Sequence, residues 1–379
     1  MRVAYLYHST CNSGGVERIL CDKTHSLIER GVEIVVITTN QRGRDNFYQF
    51  NDKIEFFDLD INYDLSDRSQ IRNCVQTHFE RLDALLKRLS VDITISMFDV
   101  DVNFIHKLTD GSKKIVEIHG PKYFCFQILA QECSGLKFLT RAAKMVVGLL
   151  KNISVLRKVD KFVVLTEQDK KLWFELDNIE CIPNFSRVEY RDDILPDYSE
   201  KRVVSVGRLV TQKGFEYLID AWSIVKKSYP DWKLSIYGDG NLRDKLQSQI
   251  DRLGLSDVIT LEGTTKEISK EYLASSMYVL SSVSEGLAIV LLEAMILKLP
   301  VVSFACQCGP RDLIDHNETG LLVDRVGDTT GLAQAMMELM ASEERRKKTG
   351  LMGYDKSKLF HKDIIIDKWV ALFNNLVGK

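Results

Sequence analysis

Two glutamates, Glu285 and Glu293, stand eight residues apart in the segment SEGLAIVLLEAMILKLPVVSF. Gly286 opens a predicted helix there, so Glu285 would lie in the loop before the helix and Glu293 about two turns inside it. A carboxylate at such a position can accept hydrogen bonds from a diol such as ribose. The start of the helix would also offer unpaired backbone N–H groups to a phosphate, from Gly286, Leu287, Ala288, Ile289 and Val290.

Glu293 has a second, purely structural interpretation as a residue on a solvated helix face. Its neighbours Leu291, Leu292, Ala294 and Met295, however, make its surroundings largely apolar. A carboxylate among apolar side chains needs a partner, and this favours a binding role.

A pair of cations in the segment SVGRLVTQKGFEYLIDA is a second candidate for phosphate binding. Arg208 offers a planar fork of donors and Lys213 a mobile point charge, and together they suit a diphosphate. Two cations in one loop are also common as solvated side chains, so this pair is a weak signal by itself.

The glycines Gly14 and Gly15 in STCNSGGVERIL would let an anion approach the backbone at a helix start. A tight strand-to-helix turn explains them equally well.

The elements that must position these loops are short runs rich in Val and Ile, which alternate with longer stretches of helical periodicity. Strands without polar alternation are buried on both faces, as in parallel sheets flanked by helices. A second series of strands and helices begins after a polar segment, residues 186–201, which is typical of an interdomain linker. The sequence therefore predicts an α/β protein with two doubly wound parallel sheets, in which ligands bind at the carboxyl ends of the strands. The predicted domains are residues 1–186 and 187–360, and a C-terminal helix in residues 361–379 returns toward the first.

The composition, 45% hydrophobic and 27% charged residues, is that of an ordinary globular protein. A formal net charge of −2 gives no reason to expect nucleic-acid binding, which normally shows a basic excess. The eight cysteines lack the spacing of disulfide frameworks or zinc sites, and they predict free thiols in a reducing cytoplasm. No apolar signal region precedes the first strand, and no run of about 18 apolar residues occurs. We therefore expect neither a secretory signal nor a membrane span.

As an ordered set, the motifs SGGVER, EIHG, IPN, VGRLVTQKG, YGDGNLRDKL, LEG, SEGLAIVLLEAM, LKLPVVSF and CGPRDLI resemble those of family 4 glycosyltransferases. The resemblance runs from near Met1 to beyond Gly320 and is best in the second half of the chain. It implies the GT-B architecture, in which two Rossmann-like domains face a cleft.

The resemblance also implies roles for the matched residues. Glu285 and Glu293 match the family's paired glutamates, of which the first approaches the donor sugar and the second holds the ribose hydroxyls. Arg208 and Lys213 match the pair that grips the donor diphosphate. Gly15 matches the glycine loop of the first domain, which closes over the phosphates.

Three further positions follow from the same resemblance. His119, in EIHG, matches the active-site histidine near the transferred sugar, and Asp239 and Gly240 lie in a loop that usually neighbours the nucleotide. One departure concerns the residues after Glu285, where the family often has Gly-Phe-Gly and this chain has Gly-Leu-Ala. It weakens only the inference about which sugar fits.

The resemblance implies transfer of a hexose or N-acetylhexosamine, with retention of the α-linkage, from a nucleoside-diphosphate sugar. We expect a UDP-linked donor and a glycan or lipid-linked glycan acceptor in polysaccharide biosynthesis. Arg208, Lys213 and the helix start would stabilise the negative charge that develops on the departing β-phosphate. Neither a cofactor nor a metal is therefore expected.

The strings Asp58–Asp60 and Asp99–Asp101 resemble a metal motif of another glycosyltransferase fold. Such strings also arise by chance, and we reject them as metal sites.

Three alternatives stay open. An epimerase of the GT-B fold would isomerise the nucleotide sugar without any acceptor. A Rossmann-type dehydrogenase is disfavoured because YGDGNLR has Arg243 where the dinucleotide fingerprint requires a small residue. A non-catalytic partner subunit of a transferase is disfavoured by the intact set of Glu285, Glu293, Arg208, Lys213 and His119.

The segment between Cys133 and Val159 contains no acidic residue. Apolar side chains are interleaved there with basic ones, among them Lys137, Arg141, Lys144 and Lys151. One interpretation is the solvated face of a packed helix. The other is a basic amphipathic surface that contacts anionic lipid, which suits a cytoplasmic transferase working at the inner face of the cell membrane.

Overall fold

A computed structural model describes residues 1–63, 68–132 and 135–378 of the chain. These residues form two compact units, each with its own parallel sheet. The first unit contains Met1–His119, Leu139–Asn184 and Lys362–Lys379, and the second contains Gly120–Phe138 and Phe185–His361. Gly120–Phe138, which the sequence analysis placed in the first domain, thus packs with the second unit.

Among the described residues, the sheet of the first unit has seven strands in the order β3-β2-β1-β4-β5-β6-β7. These are β1 (Arg2–Tyr7), β2 (Glu33–Thr38), β3 (Glu55–Asp58), β4 (Ile93–Ser96), β5 (Lys113–Glu117), β6 (Lys161–Val164) and β7 (Ile179–Cys181). The described sheet of the second unit has six strands in the order β10-β9-β8-β11-β12-β13. These are β8 (Arg202–Val206), β9 (Lys233–Tyr237), β10 (Ile259–Gly263), β11 (Met277–Leu280), β12 (Val301–Phe304) and β13 (Leu321–Val323).

The α-helices connect the strands in the alternation that the sequence predicts. They are α1 (Gly15–Glu29), α2 (Arg68–Leu89), α3 (Phe124–Glu132), α4 (Gly135–Leu156), α5 (Glu167–Leu172), α6 (Phe215–Ser228), α7 (Arg243–Arg252), α8 (Ile268–Leu273), α9 (Ile289–Ile296), α10 (Pro310–Leu313), α11 (Thr329–Met340), α12 (Glu343–Ser357) and α13 (Lys362–Val377). Short 3₁₀ turns at Val100–Asn103, Ile105–Lys107, Thr211–Lys213 and Lys358–Phe360 complete the regular structure of the described residues.

Each sheet is buried on both faces, as its continuous apolar strands require. All of β1 after its first residue is buried, and so are all of β11 and all of β12. In the first unit the core gathers around Phe162 and Trp173, whose rings lie 5.0 Å apart. In the second unit α6 and α11 pack on the sheet around Trp222 and Phe304.

Two short strands, β3 and β13, are not predicted by the runs rich in Val and Ile, and they lie at the edges of their sheets. β3 is only four residues long and mostly exposed, so it lacks the apolar run that marks the inner strands. β13 has three residues and one partly exposed position, and it is too short to give a period. Edge strands need less apolar sequence because one side of each faces solvent or a loop.

The structure bears on the expectations about the cysteines and about membrane-spanning helices. The described cysteines, namely Cys11, Cys21, Cys74, Cys125, Cys181, Cys306 and Cys308, are free thiols, while Cys133 lies outside the described residues. Of the described helices, none has both the length and the hydropathy needed to cross a membrane.

Candidate functional site

The candidate donor site of the second unit lies in the loops that follow β8, β9, β11 and β12. These strands are neighbours in the sheet and parallel to one another. Their carboxyl ends therefore meet at one edge, which is where sheets of this class bind ligands. Of the predicted residues, this edge brings together the loop of Arg208 and Lys213, the loop of Asp239 and Gly240, and the segment that starts at Glu285.

Lys213 is held against Glu285 in a partly buried ion pair. Its Nζ lies 2.7 Å from Glu285 Oε1, and the two side chains are 14% and 7% exposed. The aliphatic stem of Lys213 passes over Gly207, where an added Cβ would lie 3.3 Å from Lys213 Cδ. The cation is therefore directed across the end of β8 toward the loop after β11.

Backbone contacts fix the Lys213 loop to the segment after β11. Val283 N donates to Gln212 O at 2.8 Å, and Gln212 Nε2 donates to Ser284 O at 2.9 Å. Gly214 adopts φ +59°, and a Cβ there would stand 2.3 Å from the carbonyl oxygen of Ser281. Only glycine can bring the two backbones so close.

The loop after β9 packs against the same turn from the other side. An added Cβ on Gly238, whose φ is +138°, would lie 1.9 Å from Gly207 O, and one on Gly240 would lie 2.5 Å from Leu209 O. Leu209 N also donates to the carbonyl of Asp239 at 2.9 Å. These contacts hold the backbone of Arg208, whose side chain is exposed, between the ends of β8 and β9.

The segment between Glu285 and α9 makes a turn that ends in a strained residue. Ala288 precedes the helix with φ 61° and ψ 63°, in the left-handed region that favours glycine. A glycine, which the family often has at this position, would adopt the positive φ without strain, whereas Ala288 adopts it at an energetic cost. Gly309, in the loop after β12, supports the turn, since its Cβ would lie 3.1 Å from the backbone of Leu287.

Glu293 lies within α9, but the helix begins at Ile289 and not at Gly286, so Glu293 is just over one turn inside it and not two as predicted. The residue is buried, with 4% of its surface exposed. Ser186 Oγ donates to Glu293 Oε1 at 3.4 Å. Burial raises the pKa of the Tyr278 hydroxyl well above its usual value, and the charges of Glu285 and Glu293 raise it further. Both carboxylates therefore lie close to the same buried ring, and the solvated-face interpretation of Glu293 is wrong.

In the first unit, the glycine loop opens α1 as predicted. Gly14 is the N-cap with extended backbone angles, and Gly15 is the first helical residue. A Cβ on Gly14 would lie 2.0 Å from Glu17 Oε2, whereas one on Gly15 would meet nothing within 4 Å. The N-cap makes no side-chain hydrogen bond to the helix, so the first N–H groups of α1 are of the kind that can bind an anion.

His119 follows β5, and both of its ring nitrogens face polar groups of the same unit. Nε2 lies 3.2 Å from Glu117 Oε1, and Nδ1 lies 3.4 Å from Asn184 Nδ2. Glu117 is fully buried, and its other oxygen forms an ion pair with Lys23 of α1. The histidine is thus fixed by its neighbours.

The sequence analysis did not single out Lys23, Glu117 or Asn184. Asn184 belongs to the IPN motif that carried part of the resemblance, but no role was attached to it. Glu117 ends an apolar strand and Lys23 lies inside a helix, so each was a charge in a segment expected to be buried. Since buried charges need partners, that conflict was the available signal.

The two aspartate strings do not gather into a metal site in the described part of the chain. Residues 1–63, 68–132 and 135–378 contain no group of three His, Cys, Asp or Glu side chains that could hold a metal ion. Asp58 instead accepts hydrogen bonds from the backbone of Gln41 and Arg42. Asp99 caps a 3₁₀ turn by accepting from Val100 N at 2.8 Å.

Two parallel α/β units with ligand loops at the strand ends define a protein of the GT-B fold. Residues 186–356 match the family described as "Glycosyl transferases group 1". This match covers most of the second unit, and with the relatives below it identifies the chain as a glycosyltransferase.

Two relatives agree with that assignment. An uncharacterized glycosyltransferase of Haemophilus influenzae is 28% identical over 98% of this chain and 99% of that protein. The amylovoran biosynthesis glycosyltransferase AmsD of Erwinia amylovora is 33% identical over 57% of this chain and 62% of its own length.

Two crystal structures share the fold of the chain at low identity. A variant of TarM from S. aureus, in complex with Fondaparinux, alpha-GlcNAc-glycerol and UDP, has a TM-score of 0.77 at 16% identity over 98% of this chain and 99% of that one. HepE from Anabaena, in complex with UDP and glucose, has a TM-score of 0.69 at 17% identity over 98% of each chain.

Proposed function

We propose that the protein is a retaining glycosyltransferase that moves a hexose or N-acetylhexosamine from a UDP-sugar to a glycan or lipid-linked glycan. The observation that carries the proposal is the Lys213–Glu285 pair at the meeting point of β8 and β11, beside the start of α9. It places a cation, a carboxylate and a helix N-terminus at one sheet edge. That combination suits a ligand with both phosphates and hydroxyls.

The diphosphate is assigned to Arg208, Lys213 and the backbone N–H groups at the start of α9. When the sugar–phosphate bond breaks, negative charge grows on the leaving β-phosphate. Positive groups that contact this oxygen stabilise the charge, and this is where we expect most of the catalytic effect. Because side chains and helix N–H groups supply this charge, we propose that the reaction requires neither a metal nor a cofactor.

Glu293 and Glu285 are assigned to the hydroxyl groups of the donor. Glu293 is buried just over one turn inside α9 and can accept hydrogen bonds from the ribose diol. Glu285, at the entrance to the turn, approaches the donor sugar. Asp239 and Gly240 border the nucleotide, and the turn of Gly286, Leu287, Ala288 and Ile289 encloses the sugar and the phosphates.

From the first unit, Gly14 and Gly15 are assigned to the phosphates and His119 to the transferred sugar. A glycine at the start of α1 leaves room for an anion to approach the helix N–H groups. His119 presents a ring that its neighbours keep in one orientation, as a residue that orients a sugar requires.

The names of related proteins support the donor and the acceptor class. HepE and the TarM variant were both crystallised with UDP, one of them with glucose as well. AmsD carries the name of a polysaccharide biosynthesis enzyme, and another relative, LpsE of Rhizobium meliloti, is named for lipopolysaccharide core biosynthesis. We therefore place the reaction in the assembly of a surface polysaccharide.

The test of the donor is a thermal-shift measurement with UDP, GDP, ADP, CMP and NAD, with EDTA present throughout. A ligand that binds only the folded state raises its unfolding temperature, and at equal concentration the tighter ligand raises it more. We expect the largest shift with UDP, and a loss of that shift in Arg208→Ala. A shift with another nucleotide alone would replace the proposed base, and a shift with UDP only after adding Mg²⁺ would contradict the metal-free mechanism.

The reaction itself is tested by supplying the UDP-sugar that stabilises the protein most. Transfer requires an acceptor, so UDP release should rise when acceptor glycans are added, and the product should keep the α-configuration by NMR. Isomerisation of the donor without an acceptor would instead identify an epimerase.

We further propose that α4 lies on an anionic membrane at the inner face of the cell membrane, with the protein in the cytoplasm. The helix exposes large apolar side chains, namely Leu139 (62%), Val146 (45%), Val147 (68%) and Leu150 (61%). Its basic residues Lys137, Arg141, Lys144 and Lys151 are also exposed. An exposed face with both kinds of side chain suits the boundary between lipid headgroups and acyl chains.

Liposome sedimentation tests this surface. Vesicles with anionic headgroups should bind the protein, and neutral vesicles should bind it much less. Replacing Lys137, Lys144 and Lys151 by glutamate should abolish binding to the anionic vesicles. The same replacement at three exposed lysines of the second unit should reduce this binding far less; these lysines are Lys270, Lys347 and Lys348. Equal binding by both triple variants would contradict the proposed surface.

A further inference from the structure

A buried carboxylate joins α1 to His119 in the first unit. Glu117, at the end of β5, is fully buried, and Lys23, in the middle of α1, is 1% exposed. Lys23 Nζ is paired with Glu117 Oε2, and Glu117 Oε1 lies 3.2 Å from His119 Nε2. One carboxylate therefore contacts a lysine on one side and the candidate active-site histidine on the other.

Aromatic rings enclose the ammonium group of Lys23. Its Nζ lies 4.4 Å from the centre of the Trp369 ring in α13 and 5.1 Å from that of Tyr5 in β1. Burying an ion pair costs several kcal/mol in desolvation, and apolar residues of similar volume are often as stable. Stability alone therefore gives little reason to keep two charges here.

The charges around Glu117 decide its protonation. Burial by itself would raise the pKa of Glu117, but the charge of Lys23 holds it below its usual value. The carboxylate is consequently ionised at neutral pH and can only accept hydrogen bonds. This negative charge favours hydrogen on His119 Nε2, which lies beside it.

The other ring nitrogen fits the same assignment. Asn184 Nδ2 lies 3.4 Å from His119 Nδ1, and an amide nitrogen can only donate. An unprotonated Nδ1 accepts from it. Glu117 Oε1 and His119 Nε2 are in close contact without hydrogen-bond geometry, so it is the negative charge that favours hydrogen on Nε2. The opposite tautomer would turn a lone pair toward the carboxylate and an N–H toward an N–H.

We propose that Lys23 and Glu117 are positioning residues for sugar transfer, which hold the His119 ring as its Nε2–H tautomer in one fixed orientation. The inference rests on the proposed place of His119 beside the transferred sugar. Because Asn184 occupies the only basic nitrogen of the ring, His119 orients the sugar and does not remove the proton of the acceptor hydroxyl. That proton passes to another base, such as the departing phosphate.

The first test uses the unaltered protein. Long-range ¹H–¹⁵N NMR spectra separate the two tautomers and the imidazolium ion, and a His119→Gln variant identifies the signal. We expect hydrogen on Nε2 and an unprotonated Nδ1 at pH 7. The opposite tautomer, or an imidazolium, would overturn the proposal whatever the variants show.

The second test separates positioning from stability. Lys23→Met leaves a buried carboxylate without its counter-ion and should be strongly destabilised. The double variant Lys23→Met/Glu117→Gln removes both charges and should recover most of the lost unfolding temperature. If the pair positions His119, this double variant should nevertheless show mixed tautomers, and its kcat for UDP release should fall on the order of 10- to 100-fold with little change in the donor KM.

A matched control lies on the same strand. Lys114 is also buried, and its Nζ pairs with Asp110 Oδ1 at 2.7 Å. Lys114→Met should lower the unfolding temperature while leaving the His119 tautomer and kcat as in the unaltered protein. A double variant at Lys23 and Glu117 with normal tautomer and normal kcat would show that the pair serves stability alone.

The outcomes also distinguish this inference from the proposed function. If the unaltered protein releases no UDP from any sugar donor, the transferase proposal fails. The tautomer spectra still report on the link from Lys23 to His119 in that case. If transfer occurs but the spectra contradict the assigned tautomer, only the positioning inference is overturned.

Discussion

The two units hold their candidate site residues by different physical means. In the second unit, glycines let backbone segments approach closely, and main-chain hydrogen bonds join the loops after β8, β9 and β11. In the first unit, His119 is held by side chains, through a buried carboxylate and a buried lysine. The second unit should therefore be sensitive to added volume, and the first to altered charge.

The largest expected effect comes from adding a methyl group where backbones touch. A Cβ on Gly238 would stand 1.9 Å from the carbonyl oxygen of Gly207, and the residue has φ +138°. Gly238→Ala should cost more than about 3 kcal/mol of unfolding free energy, because no flexible side chain can yield. Gly254 also has a positive φ but open space around it, so Gly254→Ala measures the backbone strain alone, about 1–2 kcal/mol. Urea unfolding of the two variants compares them, and equal losses would mean that the close approach is unimportant.

Removing the donor-binding charges is the next largest change. Arg208→Ala and Glu293→Ala should each lose a charge-assisted hydrogen bond of about 1.5–3 kcal/mol. This corresponds to roughly 10- to 150-fold in kcat/KM. Lys270→Ala removes an exposed cation elsewhere in the second unit and should leave turnover unchanged. Normal turnover in both site variants would remove the donor-site assignment.

A buried acid in the first unit makes a prediction about pH. Burial, with a smaller contribution from the charge of Asp99, raises the pKa of Asp101 from 3.8 to about 7. Between those values the folded state keeps a proton that the unfolded state loses, so this group lowers the stability as pH rises. Asp101→Asn should remove about 2 kcal/mol of the decrease in unfolding free energy between pH 5 and pH 7. Parallel pH dependences for the two proteins would show that Asp101 does not titrate in this range.

The burial of each element decides whether the sequence could predict it. Buried strands and amphipathic helices leave a periodic pattern, which predicts two doubly wound sheets and helices at residues 16–30, 215–227, 289–297 and 364–376. These ranges agree with α1, α6, α9 and α13 within a few residues. The edge strands β3 and β13 leave no such pattern because they are short or exposed. The sequence pattern of the inner strands and the helices is therefore enough to predict the fold class.

For the site, local motifs were readable and long-range pairings were not. The pairing of Lys213 with Glu285 joins residues 72 positions apart, and that of Lys23 with Glu117 joins residues 94 apart. The spacing of these residues along the chain does not predict that either pair is in contact. The positive φ of Ala288 was equally hidden, because its sequence neighbours do not require it.

The smallest expected change in stability is at the glycine loop of the first unit. A Cβ on Gly15 would meet nothing within 4 Å, whereas one on Gly14 would meet the carboxylate of Glu17. Gly15→Ala should therefore alter the unfolding free energy by less than about 1 kcal/mol, and in the stabilising direction, because alanine favours the helix. If a phosphate binds at the start of α1, the same methyl group occupies its approach and should raise the donor KM. Thermal unfolding and donor kinetics on one preparation separate the two effects. An unchanged KM would show that Gly15 serves the turn and that the phosphates are bound by the second unit alone.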